Sequence, residues 1–170
     1  MKPTLYLMMG LPGAGKTTAA KIIESLTNSV RLSSDEERLK LFPNPQFTEA
    51  EHKILYSALD SLTTTLLQEG KSVIYDANLN RLQHRKEKYV LAKNLGATCR
   101  LILVQTKKDL AKHRRIEENL VKLVPKNETT EEMFERIANI IELPNKDEPY
   151  TELDGTKITP DYTRQKLHLS

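Results

Sequence analysis

The chain has 170 residues, 38% of them hydrophobic, enough to build one core without a metal or disulfide framework, so a single domain over 1–170 is expected. Its 26 basic and 23 acidic residues are interspersed and leave a net charge of +3, compatible with polyanionic ligands but too small an excess to mark a nucleic-acid binder. The lone Cys99 excludes an internal disulfide, no run of about 18 apolar residues offers a membrane span, and only Lys2 precedes the first short apolar stretch, so a cytoplasmic protein is expected.

Thr4–Met9 is a short apolar run closed by Gly10, and Ala19, Ala20, Ile23 and Leu26 recur at helical spacing over 16–26. That predicts strand, loop and helix. Val30–Ser33 is a second strand candidate, followed by a charged helical stretch over 35–41 and a break at Pro43 and Pro45. Thr48 with Glu51 reads as a capping box, after which Ile54, Leu55, Ala58, Leu59, Leu62, Leu66 and Leu67 make one apolar helix face that ends at Gly70.

Val73, Ile74 and Tyr75 form a third strand ending at Asp76, and a strongly basic helix over 82–95 stops at Gly96. Thr98–Gln105 is the clearest strand, and its Cys99 reads as a buried thiol. A helix starting over 106–109 is expected to run through His113 to about Asn119. A second capping box, Thr129 with Glu132, opens a helix carrying Met133, Phe134, Ile137, Ile140 and Ile141. A last short strand is expected over 150–153, followed by a tail over 156–170. Alternating strands and helices predict an α/β fold, a P-loop three-layer sandwich in which helices cover both faces of a parallel sheet of about five strands. Ligands are then expected at the carboxyl ends of the strands.

Gly10, Gly15, Lys16 and Thr17 match the phosphate-loop pattern, with an apolar strand before and a helix after. The glycines let backbone amides approach phosphate oxygens, and the helix adds its positive dipole end. The whole loop, Gly10, Leu11, Pro12, Gly13, Ala14 and Gly15 with Lys16, Thr17 and Thr18, is the expected ATP-binding segment. Lys16 would neutralise the β and γ phosphates and Thr17 would hold Mg²⁺, while Thr18 either meets the α phosphate or packs. Asp35 follows the second strand and reads either as a general base toward a hydroxyl or as a helix N-cap. Asp76 reads as the second metal-orienting acid or as a turn aspartate. Arg81, His84, Arg85, Lys86, Lys88 and Lys93 are either a polyanion groove or a solvated helix face. Arg114 and Arg115, in a lid over roughly 106–130, either close on a transferring phosphate or face solvent.

Taken in order, three motifs resemble the polynucleotide-kinase-like, zeta-toxin-related P-loop kinases, also described as AAA-domain kinases: Gly10 to Thr18, Ser33 to Arg38, and Val73 to Asn80. The resemblance covers roughly residues 4–155. It implies that Asp35 activates an acceptor hydroxyl, that Arg38 binds the acceptor, that Asp76 and Asn78 border the site, and that 143–149 approaches the adenine. The lid departs from the family pattern, since Arg114 and Arg115 are adjacent and Glu117, Glu118 and Asn119 follow. The expected activity is transfer of the ATP γ-phosphate to a hydroxyl-bearing acceptor: a nucleoside, a polynucleotide 5′ hydroxyl or a small metabolite. The alternatives are a nucleotide-binding regulator with weak ATPase activity and a nucleic-acid-binding module that uses ATP structurally.

Overall fold

In the computed structural model, which describes residues 2–118 and 123–169, strand β1 (Thr4–Met9) lies at the centre of a sheet and sends alternate side chains to opposite faces. Leu5, Leu7 and Met9 enter one core and Tyr6 and Met8 the other, all of them nearly or fully buried. Such a strand is apolar at every position, as both-face burial requires. The sheet runs β2 (Val30–Ser33), β3 (Val73–Asp76), β1, β4 (Thr98–Gln105), β5 (Tyr150–Asp154), with every pairing parallel. β1 connects outward to β2 and β3 crosses back to β4, so the chain reverses direction between β1 and β3, where an open sheet forms its ligand crevice.

Helix α1 (Lys16–Thr27) covers one face through Ala19, Ala20 and Ile23. The opposite face is covered by α3 (Glu49–Gln68), through Leu55, Leu59 and Leu67, and by α4 (Leu82–Asn94), through Ala92. This is the three-layer arrangement that the strand–helix alternation predicts. α2 (Ser34–Leu41), α5 (Lys108–His113) and α6 (Thr130–Ile140) border the carboxyl ends of the strands, and Thr129 and Glu132 close the full reciprocal capping box expected of them.

Several expectations are corrected. Residues 160–167 are helix α7 (Pro160–Leu167) instead of a tail, with Thr159 capping its start and Leu167 buried in the α1 core. The Thr48 box is half formed: the threonine oxygen accepts from Glu51, but the Glu51 carboxylate turns to the amides of Gln46 and Phe47. On α3 the apolar stripe splits, because Ile54 and Leu62 face solvent while Thr63 is buried. The helix expected to continue toward Asn119 is α5 followed by a π-type turn, Arg114–Glu118, and Asn119 itself lies outside the described residues. Cys99 is half-buried and not fully buried as expected, and burial pushes its thiol up to about 12, which favours the protonated form.

The basic α4 helix is neither a groove nor wholly a solvated face. Arg85, fully buried, donates to both Glu148 carboxylate oxygens at 2.6 and 2.8 Å and to the Leu79 carbonyl at 2.9 Å. Lys88 donates to both oxygens of Asp60 at 2.6 and 2.7 Å. Glu148 is also bonded by Tyr89, which ties the 143–149 segment to α4. Removing one partner of a buried, hydrogen-bonded pair strands the other, at a cost of about 3–5 kcal/mol. Arg85→Ala should therefore lose about that much in urea denaturation, and adding Glu148→Gln should restore part of it. Burial raises the Glu148 pKa, but its hydrogen bonds from Arg85 and Tyr89 outweigh that and the net shift is downward. The stabilisation is thus intact above the ordinary carboxylate value and is lost as pH falls through the lower, folded-state value, so the gap between wild type and Arg85→Ala should narrow in acid.

Candidate active site

The phosphate loop leaves β1 through Gly10 and Gly13, both with positive φ, 147° and 77°. A Cβ at Gly10 would collide with the Val104 carbonyl of β4, and one at Gly13 with the Ala111 carbonyl of α5, so the loop needs bare backbone at both points. Helix α5 therefore rests directly on the loop. Asn80 secures the turn from the other side, its Oδ1 accepting the Gly10 amide at 3.3 Å. Helix α1 begins at Gly15 with no side-chain cap and no acidic residue in its first turn, which leaves its free amides and positive dipole end for an anion.

Lys16 folds back over the loop and donates to the Gly10 and Leu11 carbonyls at 2.9 and 2.8 Å. Burial lowers its pKa to about 8 against the opposing pull of Asp76 and Asp35, with Arg115 adding to the decrease. Asp76, at the end of β3, is buried and accepts from Arg31 Nη1 at 3.0 Å, and Arg31 also pairs with Glu36. Burial raises the Asp76 pKa, while Lys16, Arg31 and the nearby Thr17 hydroxyl favour its charged form. Thr17 and Asp76 are thus neighbours on one wall of the cleft, the pair that would hold a cation together with phosphate oxygens. No group of three or more His, Cys, Asp or Glu side chains converges as a metal cage among the described residues.

The cleft has a volume of about 1040 Å³. Its walls include Pro12, Gly13, Gly15, Lys16, Thr17 and Thr18 of the loop, whereas Gly10, Leu11 and Ala14 lie behind it as support. Asp35, Arg38, Asp76, Asn78, Arg114 and Arg115, the other residues singled out by sequence, all face it. Asp35 is not the cap of α2, because Ser33 caps that helix by accepting from Glu36, and its carboxylate is exposed in the cleft. Lys16, Arg38 and Arg115 all feel its charge. Asn78 stands at the cleft edge, where its Oδ1 accepts from the Asn80 amide. The wide π-type turn brings adjacent side chains closer in direction, and both Arg114 and Arg115 reach the cleft. Arg114 donates to the Gly155 carbonyl at 3.1 Å, and Arg115 keeps a buried Nε without a hydrogen-bond partner among the described residues.

Sequence reasoning gave no role at the cleft to Arg31, Asn80, Phe47, His52 or Arg136, which support or line it. Arg31 carried a signal as a charge in the middle of an apolar strand, and Asn80 as the last residue of the third motif. The 143–149 segment, which the resemblance places near the adenine, is not among the residues that line the cleft. Its Glu148 is spent on Arg85 and Tyr89, and Gly155, Thr156 and Ile158 take the place beside the phosphate loop.

A family model described as an AAA domain (AAA_33) matches residues 5–143. The chain belongs to that family. A candidate kinase from Chloroflexus aurantiacus has the same fold, with a TM-score of 0.76 at 20% identity over 100% of both chains. A sugar kinase from Janibacter sp. HTCC2649 aligns at TM-score 0.68 and 16% identity, over 97% of this chain and 92% of that one. A chain of the Pnkp1/Rnl/Hen1 RNA repair complex aligns at 0.64 and 23%, over 81% of this chain but only 45% of that one. No curated protein matches the chain in sequence. The likeness to AAA-domain P-loop kinases drawn from the motifs is borne out, as is the P-loop fold. No helix among the described residues is long and apolar enough to cross a membrane.

The lowered Lys16 pKa gives an expected pH dependence. Phosphate binding favours the ammonium, so ATP affinity should be flat up to about pH 7, be down by about twofold near pH 8, and then fall by up to about tenfold per unit until the bound-state pKa is reached. Lys16→Arg, permanently charged, should bind less well but without the alkaline fall. Fluorescence anisotropy with a labelled ATP analogue measures both, and a wild-type affinity flat to pH 10 would contradict the assignment.

Proposed function

We propose that this protein transfers the γ-phosphate of ATP to a hydroxyl group of an acceptor. The observation that carries the reading is the exposed Asp35 carboxylate, which shares one cleft with the Lys16 ammonium, the Thr17 and Asp76 pair and the lid arginines. In this reading the loop amides and Lys16 hold the β and γ phosphates, and Lys16 exchanges its two carbonyl partners for them. Thr17 and Asp76 hold Mg²⁺, with Arg31 fixing the Asp76 carboxylate in place; the ion supplies charge neutralisation on the phosphates. Asp35 accepts the proton of the acceptor hydroxyl, and Arg38 binds an anionic part of the acceptor. Arg115, whose Nε has no hydrogen-bond partner among the described residues, stabilises the charge that develops on the transferring group, with Arg114 beside it.

A transfer enzyme needs room for an acceptor next to the base, and the cleft lining of Arg38, Phe47, Tyr56, Met133 and Ile137, which a hydrolase would not require, supports that reading. This favours transfer over a regulator with weak ATPase activity. The nucleic-acid-module reading has less support, because Arg85 and Lys88 of the basic helix are spent on internal carboxylates.

Asp35→Asn should lower acceptor-dependent turnover by roughly 10²–10⁴-fold, the usual worth of a positioned base, while leaving ATP affinity within about twofold of wild type. Coupled ADP release over a panel of hydroxyl acceptors, with ATP binding measured separately, provides the check. ADP release that no acceptor raises above background, in a protein that still binds ATP, would refute the transfer reading.

A further inference from the structure

Arg38 is buried to 5% exposure, yet among the described residues its Nη1 has no hydrogen-bond partner, and the Glu51 carboxylate stands off at 3.9 Å. A buried, unpaired guanidinium nitrogen is costly and persists where the surroundings impose it. Two residues impose it here. The Phe47 ring lies against the guanidinium, 4.6 Å from ring centroid to Cζ, and Arg38 Nη2 bonds His52 Nδ1 at 3.0 Å. His52 in turn meets Phe47 edge-on, with the ring centroids 6.5 Å apart.

Phe47 is itself held in an unfavourable backbone state. Its φ is 58°, a left-handed conformation that a bulky residue seldom adopts, and strain of this kind is kept only where the surroundings over-determine it. The restraint is the Glu51 carboxylate, which accepts from the amides of Gln46 and Phe47 instead of completing its own helix cap. One helix turn, Glu51 with His52, therefore fixes both the loop and the arginine.

We propose that Phe47 and His52 are positioning residues that aim Arg38 at an anionic group of the acceptor, and that His52 does so only as a neutral imidazole accepting at Nδ1. The proposal rests on Arg38 being the acceptor-side residue. Arg38 can only donate, so a proton on Nδ1 removes its partner and places two cations side by side. The charged groups around His52 are Arg38 from α2, Arg136 from α6, and Glu51 beside it on α3. Burial, Arg38 and Arg136 favour the neutral ring and Glu51 opposes them, with a net downward shift, so the device is set at neutral pH and released in acid.

The test uses sulfate, whose charge is constant from pH 5 to 8, added to protein whose phosphate loop is already filled with AMPPNP and Mg²⁺, and followed by NMR of the Arg38 side chain. Wild type should bind sulfate at pH 7.5 and lose affinity toward pH 5. His52→Ala should weaken binding by about tenfold at pH 7.5, the worth of a hydrogen bond to a charged group, and abolish the pH dependence. His52→Gln, whose amide oxygen can accept from Arg38, should stay within about threefold of wild type and be flat with pH. Long-range ¹⁵N spectra should show the imidazole proton on Nε2 at pH 7.5. No sulfate binding by wild type, wild-type binding by His52→Ala or by Arg38→Ala, or a proton on Nδ1 at pH 7.5 would each overturn the proposal. None of these measurements needs turnover, so the loss of the transfer reading and the loss of this one are separately visible.

Discussion

The hydrogen bond from the Gly10 amide to Asn80 Oδ1 joins the two strand ends on which the site depends. β1 delivers the phosphate loop and β3 delivers Asp76, and the two strands are direct neighbours in the sheet. Asn80 lies four residues beyond Asp76 and reaches back to the first residue of the loop, while its own carbonyl accepts from the Glu142 amide after α6. One buried side chain thus sets the distance between loop and acid and anchors the exit of α6 to both. The bond extends the β1–β3 pairing past the strand ends, so that the loop carrying Lys16 and Thr17 and the strand end carrying Asp76 are tied above the sheet as well as within it.

Around the lock, backbone packs on backbone. Gly13 accommodates the Ala111 carbonyl, and Thr106 Oγ1 donates to the Ala14 carbonyl at 2.8 Å. The loop is therefore gripped by β1, by α5 and by the end of β4. Backbone held in this way has less freedom to lose on binding, which lowers the ordering cost. The flexible element is the lysine, parked on two loop carbonyls that it can exchange for phosphate oxygens.

Much of this was legible in the sequence because the relevant signals are local. The phosphate loop is one short run of residue types whose backbone demands are known, and the strands of a two-face-buried sheet are plain apolar runs. Asp35, Asp76 and the lid arginines follow from their place after predicted strands. What could not be read needs distant partners. Glu51 looks like half of a capping box because Thr48 stands three residues before it, and only the folded Phe47 loop draws it away. Arg85 and Lys88 look like surface charge until β3, α3 and the 143–149 segment surround them. α7 escapes because it is eight residues long and buries only Thr163 and Leu167, too few to set a period.

The setting of Cys99 makes the lid accessible to observation. The sequence holds one cysteine and no tryptophan, and burial keeps that thiol protonated across the working pH range. A cysteine introduced at an exposed lid position such as Lys126 would then be the fast-reacting thiol, and a tryptophan placed nearby would be the sole indole emitter. Any change in the position of the arginine-bearing turn relative to the cleft could be followed by site-specific labels without first rebuilding the native chain.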